Sequence, residues 1–223
     1  MSNKKAVLFD LDGTVADSAE DLATAVNTAL EKLNFPQRSL AEIKTFLGNG
    51  ADVLIERALP EDKKEYKKEA LELFRAKYKE NMLLSTKPYE GITDVLKFLK
   101  ENNIYTAIVS NKPHAAAMEI SNKLFGSLID FPLGAEPEKR PKKPSPLPLL
   151  YALENLGVKK ENAVYVGDSD VDIETGKSAG IYTIAVTWGY RDENRLKNAD
   201  AIVRTRQELK TLLEQLMGTS KNS

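Results

Sequence analysis

Two aspartates, Asp10 and Asp12, stand two positions apart directly after the apolar run Ala6–Phe9. In an extended segment that spacing puts both side chains on one face. One carboxylate can attack phosphorus and form an acyl phosphate. Its neighbour can protonate the leaving oxygen and then activate water for the second half-reaction. Gly13 and Thr14 follow at once. Other apolar runs end in comparable polar groups: Ser110, Asn111 and Lys112 after 106–109, and Gly167, Asp168, Ser169 and Asp172 after 163–166. Lys143 lies in a basic, proline-rich stretch, 136–146. Carboxylates gathered in one place repel each other unless a cation sits among them. Oxygen-only ligands beside a phosphate suit Mg²⁺, and lysine and backbone N–H groups suit the remaining phosphoryl oxygens.

These segments meet only if the runs before them are neighbouring strands. The runs Ala6–Phe9, 106–109, 163–166 and Tyr182–Val186 are apolar without alternation, as strands buried on both faces of a parallel sheet are. Helical periodicity separates them: Ile92, Val95, Leu96 and Leu99 share one face, as do Leu209, Leu212, Leu213 and Leu216. Strands alternating with helices predict an α/β, Rossmann-like parallel sheet, with ligands at the carboxyl ends of the strands.

Residues 17–85 break the alternation. Leu22, Val26, Ala29, Leu30 and Leu33 make one apolar helical face. A charged helix over 60–82 has Tyr66, Ala70, Leu73, Phe74 and Tyr78 on its inner side. The expected organisation is a core of 1–16 and 86–223 with an inserted all-helical cap over 17–85. Within it, Gly48, Asn49 and Gly50 form a loop whose backbone can approach a ligand closely, with Arg57 two turns later.

Each of these groups also has a plain structural reading. Asp-Gly favours turns and helix starts. Ser110 and Asn111 suit a helix cap, which is compatible with anion binding. Asp168 and Asp172, four apart, suit an acidic helix start. Lys139, Arg140 and Lys142 read as a solvated basic loop, His114 as a helix-start residue, and Trp188 as packing at the sheet edge. The ordered set is harder to explain this way than any single member.

That set, Asp10 to Thr14, Ser110 to Lys112, Lys143 with Pro144, and Gly167 to Asp172, resembles the haloacid dehalogenase-like phosphatases, specifically the phosphoglycolate phosphatase type with a helical cap. The resemblance covers nearly the whole chain. It implies Asp10 as nucleophile and Asp12 as acid/base. It implies Mg²⁺ held by the Asp10 carboxylate, the Asp12 main-chain carbonyl and the Asp168 carboxylate. Thr14, Ser110, Asn111 and Lys143 would bind the phosphoryl group, and Asp172 would orient Lys143 or metal-bound water from behind. The cap loop at Gly48, Asn49 and Gly50 would face the site and inspect the leaving group.

Composition narrows the partners. The 223 residues carry a net charge of -1, which gives no broad attraction to nucleic acid or an anionic membrane. Cysteine is absent, which excludes disulfides and thiolate chemistry. No apolar run is long enough for a signal peptide or a membrane span, so the expected location is cytoplasmic. The expected partner is a small phosphorylated metabolite, and the expected assembly a monomer or homodimer. Alternatives within the family are a pyrophosphatase or a broad-specificity sugar-phosphate or nucleotide phosphatase. Outside it stands a phospho-receiver signalling module, which also clusters aspartates with a hydroxyl and a lysine but lacks a helical insert after the first strand.

Overall fold

The computed structural model describes residues 4–219. Strand β1 (Ala6–Phe9) and the short β2 (Ala16–Asp17) precede α1 (Ala19–Lys32), α2 (Leu40–Phe46), α3 (Ala51–Ala58) and α4 (Lys67–Asn81). The chain returns through β3 (Lys87–Pro88). It then alternates: α5 (Ile92–Glu101), β4 (Tyr105–Pro113), α6 (His114–Phe125), β5 (Phe131–Ala135), α7 (Leu147–Leu156), β6 (Ala163–Gly167), α8 (Asp170–Ala179) and β7 (Tyr182–Val186), ending with β8 (Ala201–Val203) and α9 (Arg206–Leu216).

The main sheet has the order β5-β4-β1-β6-β7-β8, and its pairings are parallel. All four β1 residues are buried because helices cover both faces, and alternate residues divide between them. Val7 and Phe9 join the core built with α5, α6 and α9. Ala6 and Leu8 join the core built with α7. β1 pairs with β4 on one side and β6 on the other. The chain therefore departs from the middle of the sheet in both directions, and the strand ends open a crevice there.

Helices α1 to α4 lie between β2 and β3, which pair antiparallel, Ala16 with Pro88 and Asp17 with Lys87. Buried Asp21 braces this junction, accepting bonds from the Ser85 and Thr86 backbone N–H groups and the Thr86 hydroxyl. Leu22, Val26, Ala29 and Leu30 are buried as the periodicity requires, while Leu33 is partly buried.

The structure departs from the sequence expectation in several places. The strand expected over 106–109 runs on to Pro113, so Ser110, Asn111 and Lys112 sit on strand backbone. β5 contains Pro132 and Gly134 and is an edge strand; its composition hides it. The helix expected over 60–82 is a 3₁₀ turn, Glu61–Tyr66, followed by α4, with non-helical backbone at Lys63. Tyr66 is exposed, edge-on to Phe35, instead of facing inward. On α9 only Leu209 and Leu213 are buried, and Leu216 is exposed. No described helix is long and apolar enough to cross a membrane.

Candidate active site

The acids meet at the carboxyl ends of β1 and β6. Asp10, Asp168 and Asp172 are all buried, and one oxygen from each lies within 4.8 Å of the others. Lys143 reaches them from the connector between β5 and α7. Its Nζ is 2.7 Å from Asp10 Oδ1 and 2.7 Å from Asp172 Oδ1, and it donates to the Tyr165 hydroxyl at 3.0 Å.

Asp172 is fully engaged. Its Oδ1 accepts from Lys143 and, at 2.6 Å, from the Tyr165 hydroxyl, and its Oδ2 accepts from Ser169 N and Oγ. Ser169 and Asp172 also form the capping box of α8, so the helix start and the lysine anchor are one structure. Asp168 accepts from the Thr14 hydroxyl at 3.3 Å and from Tyr190 N at 2.7 Å. Glycines make room for these acids. A Cβ at Gly13 or Gly189 would stand 2.4 or 2.3 Å from Asp168, and one at Gly167 would stand 2.3 Å from Asp172. At Asp12, Oδ1 accepts from the Ser18 hydroxyl and Oδ2 lies 3.1 Å from Lys112 Nζ.

Burial pushes the Asp10 carboxyl up to about 7 in spite of Lys143 beside it, with Asp172 adding to the rise. Burial likewise raises Asp168 well above the carboxylate range, helped by Asp172 and Asp10. Burial alone would raise Asp172 too, but Lys143, Ser169 and Tyr165 together hold it below its ordinary value. Burial would lower Lys143; Asp10 and Asp172 outweigh it and hold the ammonium above the ordinary lysine range. Four carboxylates, Asp10, Asp12, Asp168 and Asp172, face two ammonium groups, Lys112 and Lys143. Two negative charges are left over, and this excess adds to the burial that makes Asp10 and Asp168 resist ionisation.

A divalent cation would remove that excess, and the residues fit one. Asp10 Oδ1 is buried, and although Lys143 is close enough for an ion pair it makes no aligned hydrogen bond to that oxygen. Asp168 lies in its glycine cradle beside it. Asp172 belongs to the same cluster, but each of its oxygens already accepts two bonds, whereas each Asp168 oxygen accepts one, so Asp10 and Asp168 are the carboxylates with capacity for an ion.

The family profile of haloacid dehalogenase-like hydrolases matches residues 7–186. The chain belongs to that family. A phosphoglycolate phosphatase of Aquifex aeolicus is 39% identical over 187 residues, spanning 83% of this chain and 86% of the relative. One of Colwellia psychrerythraea is 38% identical over 198 residues, spanning 85% and 87%. Among solved structures, a phosphoglycolate phosphatase by assignment from Lactobacillus delbrueckii subsp. bulgaricus superimposes with a TM-score of 0.87 at 31% identity, covering 96% of this chain and 98% of that one. A haloacid dehalogenase-like hydrolase from Streptococcus pneumoniae gives 0.84 at 25% identity, covering 96% and 100%.

In this hydrolase the crevice is roofed by the helical segment, leaving a cavity of about 360 Å³. Asp10, Asp12, Ser110, Lys112 and Asn111 line its floor; Gly48, Gly50, Leu54, Phe74 and Tyr78 line its roof. Gly48 and Gly50 have φ of 99° and 91°, a region that side chains disfavour. Asn49 turns away, its side-chain oxygen accepting from Arg57. Asn111 has a different task from the one expected. Its carboxamide donates to Gly48 O and Lys143 O and accepts from Lys143 N, so it braces two loops, whereas the Ser110 hydroxyl accepts from Lys112 N and keeps its own hydrogen to donate. Thr14 similarly braces Asp168.

Three contributors lay outside the expectation. Lys142 is only partly exposed and is tied to the cap; it donates to Asn49 O at 3.2 Å and Asp52 Oδ1 at 2.9 Å. Arg191, nearly buried, donates to Lys44 O and Leu47 O. Lys112 contacts Asp12 and, at 2.7 Å, the Tyr78 hydroxyl of α4. Burial would lower Lys112, but Asp12 and Tyr78 hold it above the ordinary lysine range, and burial pushes the Tyr78 phenol up to about 12. The position of Lys112 beside Ser110 and Asn111 was its only signal in the sequence. His114 takes no part, its Nδ1 accepting from Gly134 N. Trp188 donates to Thr14 O and stacks under Arg206.

Proposed function

We propose that the protein is a magnesium-dependent phosphatase that hydrolyses a small phosphomonoester through an aspartyl-phosphate on Asp10, with 2-phosphoglycolate the first substrate to test. The observation that carries this reading is the buried Lys143, whose ammonium is 2.7 Å from both Asp10 and Asp172, directly behind the Asp10 and Asp12 that line the cavity floor. A carboxylate nucleophile, an acid and a phosphate-binding cation then face one reacting centre. The names of the relatives supply the substrate.

In the first step an Asp10 oxygen attacks phosphorus, the bond from phosphorus to the ester oxygen breaks, and Asp12 gives its proton to the departing alkoxide. In the second, Asp12 takes a proton from water, the resulting oxygen attacks phosphorus, and the bond to Asp10 breaks to release inorganic phosphate. Lys143 and Ser110 hold the phosphoryl oxygens, with Asn111 placing Lys143. Bound Mg²⁺, held by the Asp10 and Asp168 carboxylates and the Asp12 main-chain carbonyl, would neutralise charge on the phosphoryl group. Residues 1–16 and 86–223 act as the catalytic core and 17–85 as a cap that excludes water and screens the leaving group.

Cavity size favours a second reading. About 360 Å³ is more than a two-carbon acid fills, which suits a bulkier sugar phosphate or nucleotide. The deciding experiment is phosphate release with Mg²⁺ from a panel holding phosphoglycolate, p-nitrophenyl phosphate, pyrophosphate, sugar phosphates and nucleotides. Phosphoglycolate ranking far below the sugar phosphates would overturn the first substrate assignment. No release from any of them would overturn the phosphatase reading.

A further inference from the structure

Lys112 is a buried cation to which the two-step scheme gives no task. It stands near the end of β4 and is 6% exposed. Its Nζ is 3.1 Å from Asp12 Oδ2 and 2.7 Å from the hydroxyl of Tyr78, whose ring centroid is 4.6 Å away. Tyr78 comes from α4, so the pair spans the cavity from floor to roof, and both residues line it. Leu22, Leu54, Phe74 and Met82 give the neighbouring roof an apolar lining, and the exposed Arg75 and Lys79 of α4 also border the cavity.

The donor inventory shows what this corner can hold. An ammonium has three N–H bonds and accepts nothing. Tyr78 takes one of them, and Asp12 Oδ2 lies beside the ammonium as an ion pair without an aligned hydrogen bond. Tyr78, having accepted from Lys112, keeps its own hydroxyl hydrogen, for which no acceptor occurs among the described residues. Two donors, one charged, therefore converge on the cavity beside Asp12, and a carboxylate offers two acceptor oxygens to match. Position fixes where on the substrate that carboxylate lies. Asp12 must reach the ester oxygen, so a group touching Asp12 meets the first atoms of the leaving group beyond that oxygen.

We propose that Lys112 and Tyr78 form a subsite for a carboxylate carried by the leaving group close to the ester oxygen, making the enzyme selective for phosphorylated hydroxy acids. This rests on the phosphatase reading above. A simple latch between the sheet and α4 would use the same contact but would not discriminate among esters.

The test compares kcat/KM for three substrates in the parent protein, Lys112→Met and Tyr78→Phe. Phosphoglycolate has the carboxylate and a poor leaving group, ethyl phosphate has only the poor leaving group, and p-nitrophenyl phosphate has a good leaving group and no carboxylate. Lys112→Met should lower the ratio of phosphoglycolate to ethyl phosphate about 10- to 100-fold, mostly through KM. Tyr78→Phe, which keeps its ring stacked 5.4 Å from Phe74, should lower it by a smaller factor. In the parent protein, glycolate should inhibit p-nitrophenyl phosphate hydrolysis where ethylene glycol does not, a measurement that needs no variant. Equal losses on both alkyl esters would make Lys112 an aid to Asp12 and overturn the proposal. Equal losses on all three, or equal inhibition by the two alcohols, would overturn it as well. A parent inactive on p-nitrophenyl phosphate with Mg²⁺ would instead end the phosphatase reading itself.

Discussion

Lys142 Nζ lies 2.9 Å from Asp52 Oδ1, joining the proline-rich connector to the first turn of α3. Both side chains are partly exposed, so the pair contributes under about 1 kcal/mol to global stability. Its place matters more than its strength. The residue next to Lys142 is Lys143, and the residues before Asp52 are the cavity-lining Gly50 and Ala51. Lys142→Ala should leave the melting temperature nearly unchanged and lower kcat/KM a few-fold at low ionic strength. The deficit should shrink as salt screens the pair in the parent protein. Steady-state kinetics at two salt concentrations check this; a salt-independent deficit would mean the contact does not help seat the cap. Burial alone would raise Asp52, but Lys142 holds it below the ordinary aspartate range. The contact is thus complete above about pH 4 and is lost only as pH falls through the lowered value, so neutral-pH profiles should not register it.

Lys143→Ala should be damaging in two separable ways. Removing one stabiliser of transition-state charge costs roughly 10²- to 10³-fold in turnover. Removing the cation also strands Asp10 and Asp172 in a buried site, at about 3–5 kcal/mol of stability. Thermal melts with and without Mg²⁺ separate the two: the ion should recover part of the stability and little of the rate. A variant with parental kcat would remove Lys143 from the phosphoryl site.

Without a metal, stability should fall as pH rises. Asp10 and Asp168 both bind protons more tightly folded than unfolded. Between about pH 4, where an unfolded aspartate titrates, and about 7, where folded Asp10 does, the native state holds the extra protons. The slope of stability against pH is then negative. Melts of chelator-treated protein across this window should show the decline. Asp10→Asn should flatten it, abolish turnover and retain the fold. Mg²⁺ should reverse the decline in the parent protein. Activity should vanish with EDTA, return with Mg²⁺ and be inhibited by Ca²⁺, which takes more ligands at longer distances. A pH-independent melt would show that these carboxylates do not carry the charge excess.

The strands that carry the chemistry were legible because burial on both faces leaves a continuous apolar run, as in Ala6–Phe9, Ala163–Gly167 and Tyr182–Val186. Their polar ends follow from topology alone, which is why Asp10, Asp12 and Asp168 could be placed together before any coordinates, whereas Lys143, on the connector after the hidden β5, was singled out by the family resemblance. β5 was hidden by Pro132 and Gly134, residues that an edge position tolerates. What composition could not convey was which side chains are occupied by other protein groups. Asn111 looks like a phosphate ligand until its carboxamide is seen bonded to Gly48 and Lys143. Lys142 looks like one more solvated base until Asp52 is found opposite it, 90 positions earlier in the chain. Lys112 and Tyr78 are 34 positions apart, and no local pattern links them.

Gly50 offers the sharpest test of the cap loop. It begins α3 with φ 91° and ψ 170°, a conformation open almost only to glycine. A Cβ there would stand 3.3 Å from Asn111 O and 3.4 Å from Lys142 Nζ. Any side chain therefore strains the loop and presses on the two residues that tie it to the core. Because the core acids and Lys143 lie below this contact, Gly50→Ala should disturb how the roof meets the leaving group before it disturbs phosphoryl transfer. Phosphoglycolate, whose poor leaving group needs Asp12 and a closed cavity, should lose about 10-fold or more in kcat/KM. p-Nitrophenyl phosphate should lose less, since its leaving group departs with little help. Asn49→Ala is the matched control: its side chain bonds to Arg57 away from the cavity, so it should shift both substrates by a similar small factor. Kinetics on both substrates for the two variants decide the matter. If Gly50→Ala and Asn49→Ala change the substrate ratio alike, the roof does not select the leaving group, and selection must come from the floor of the cavity.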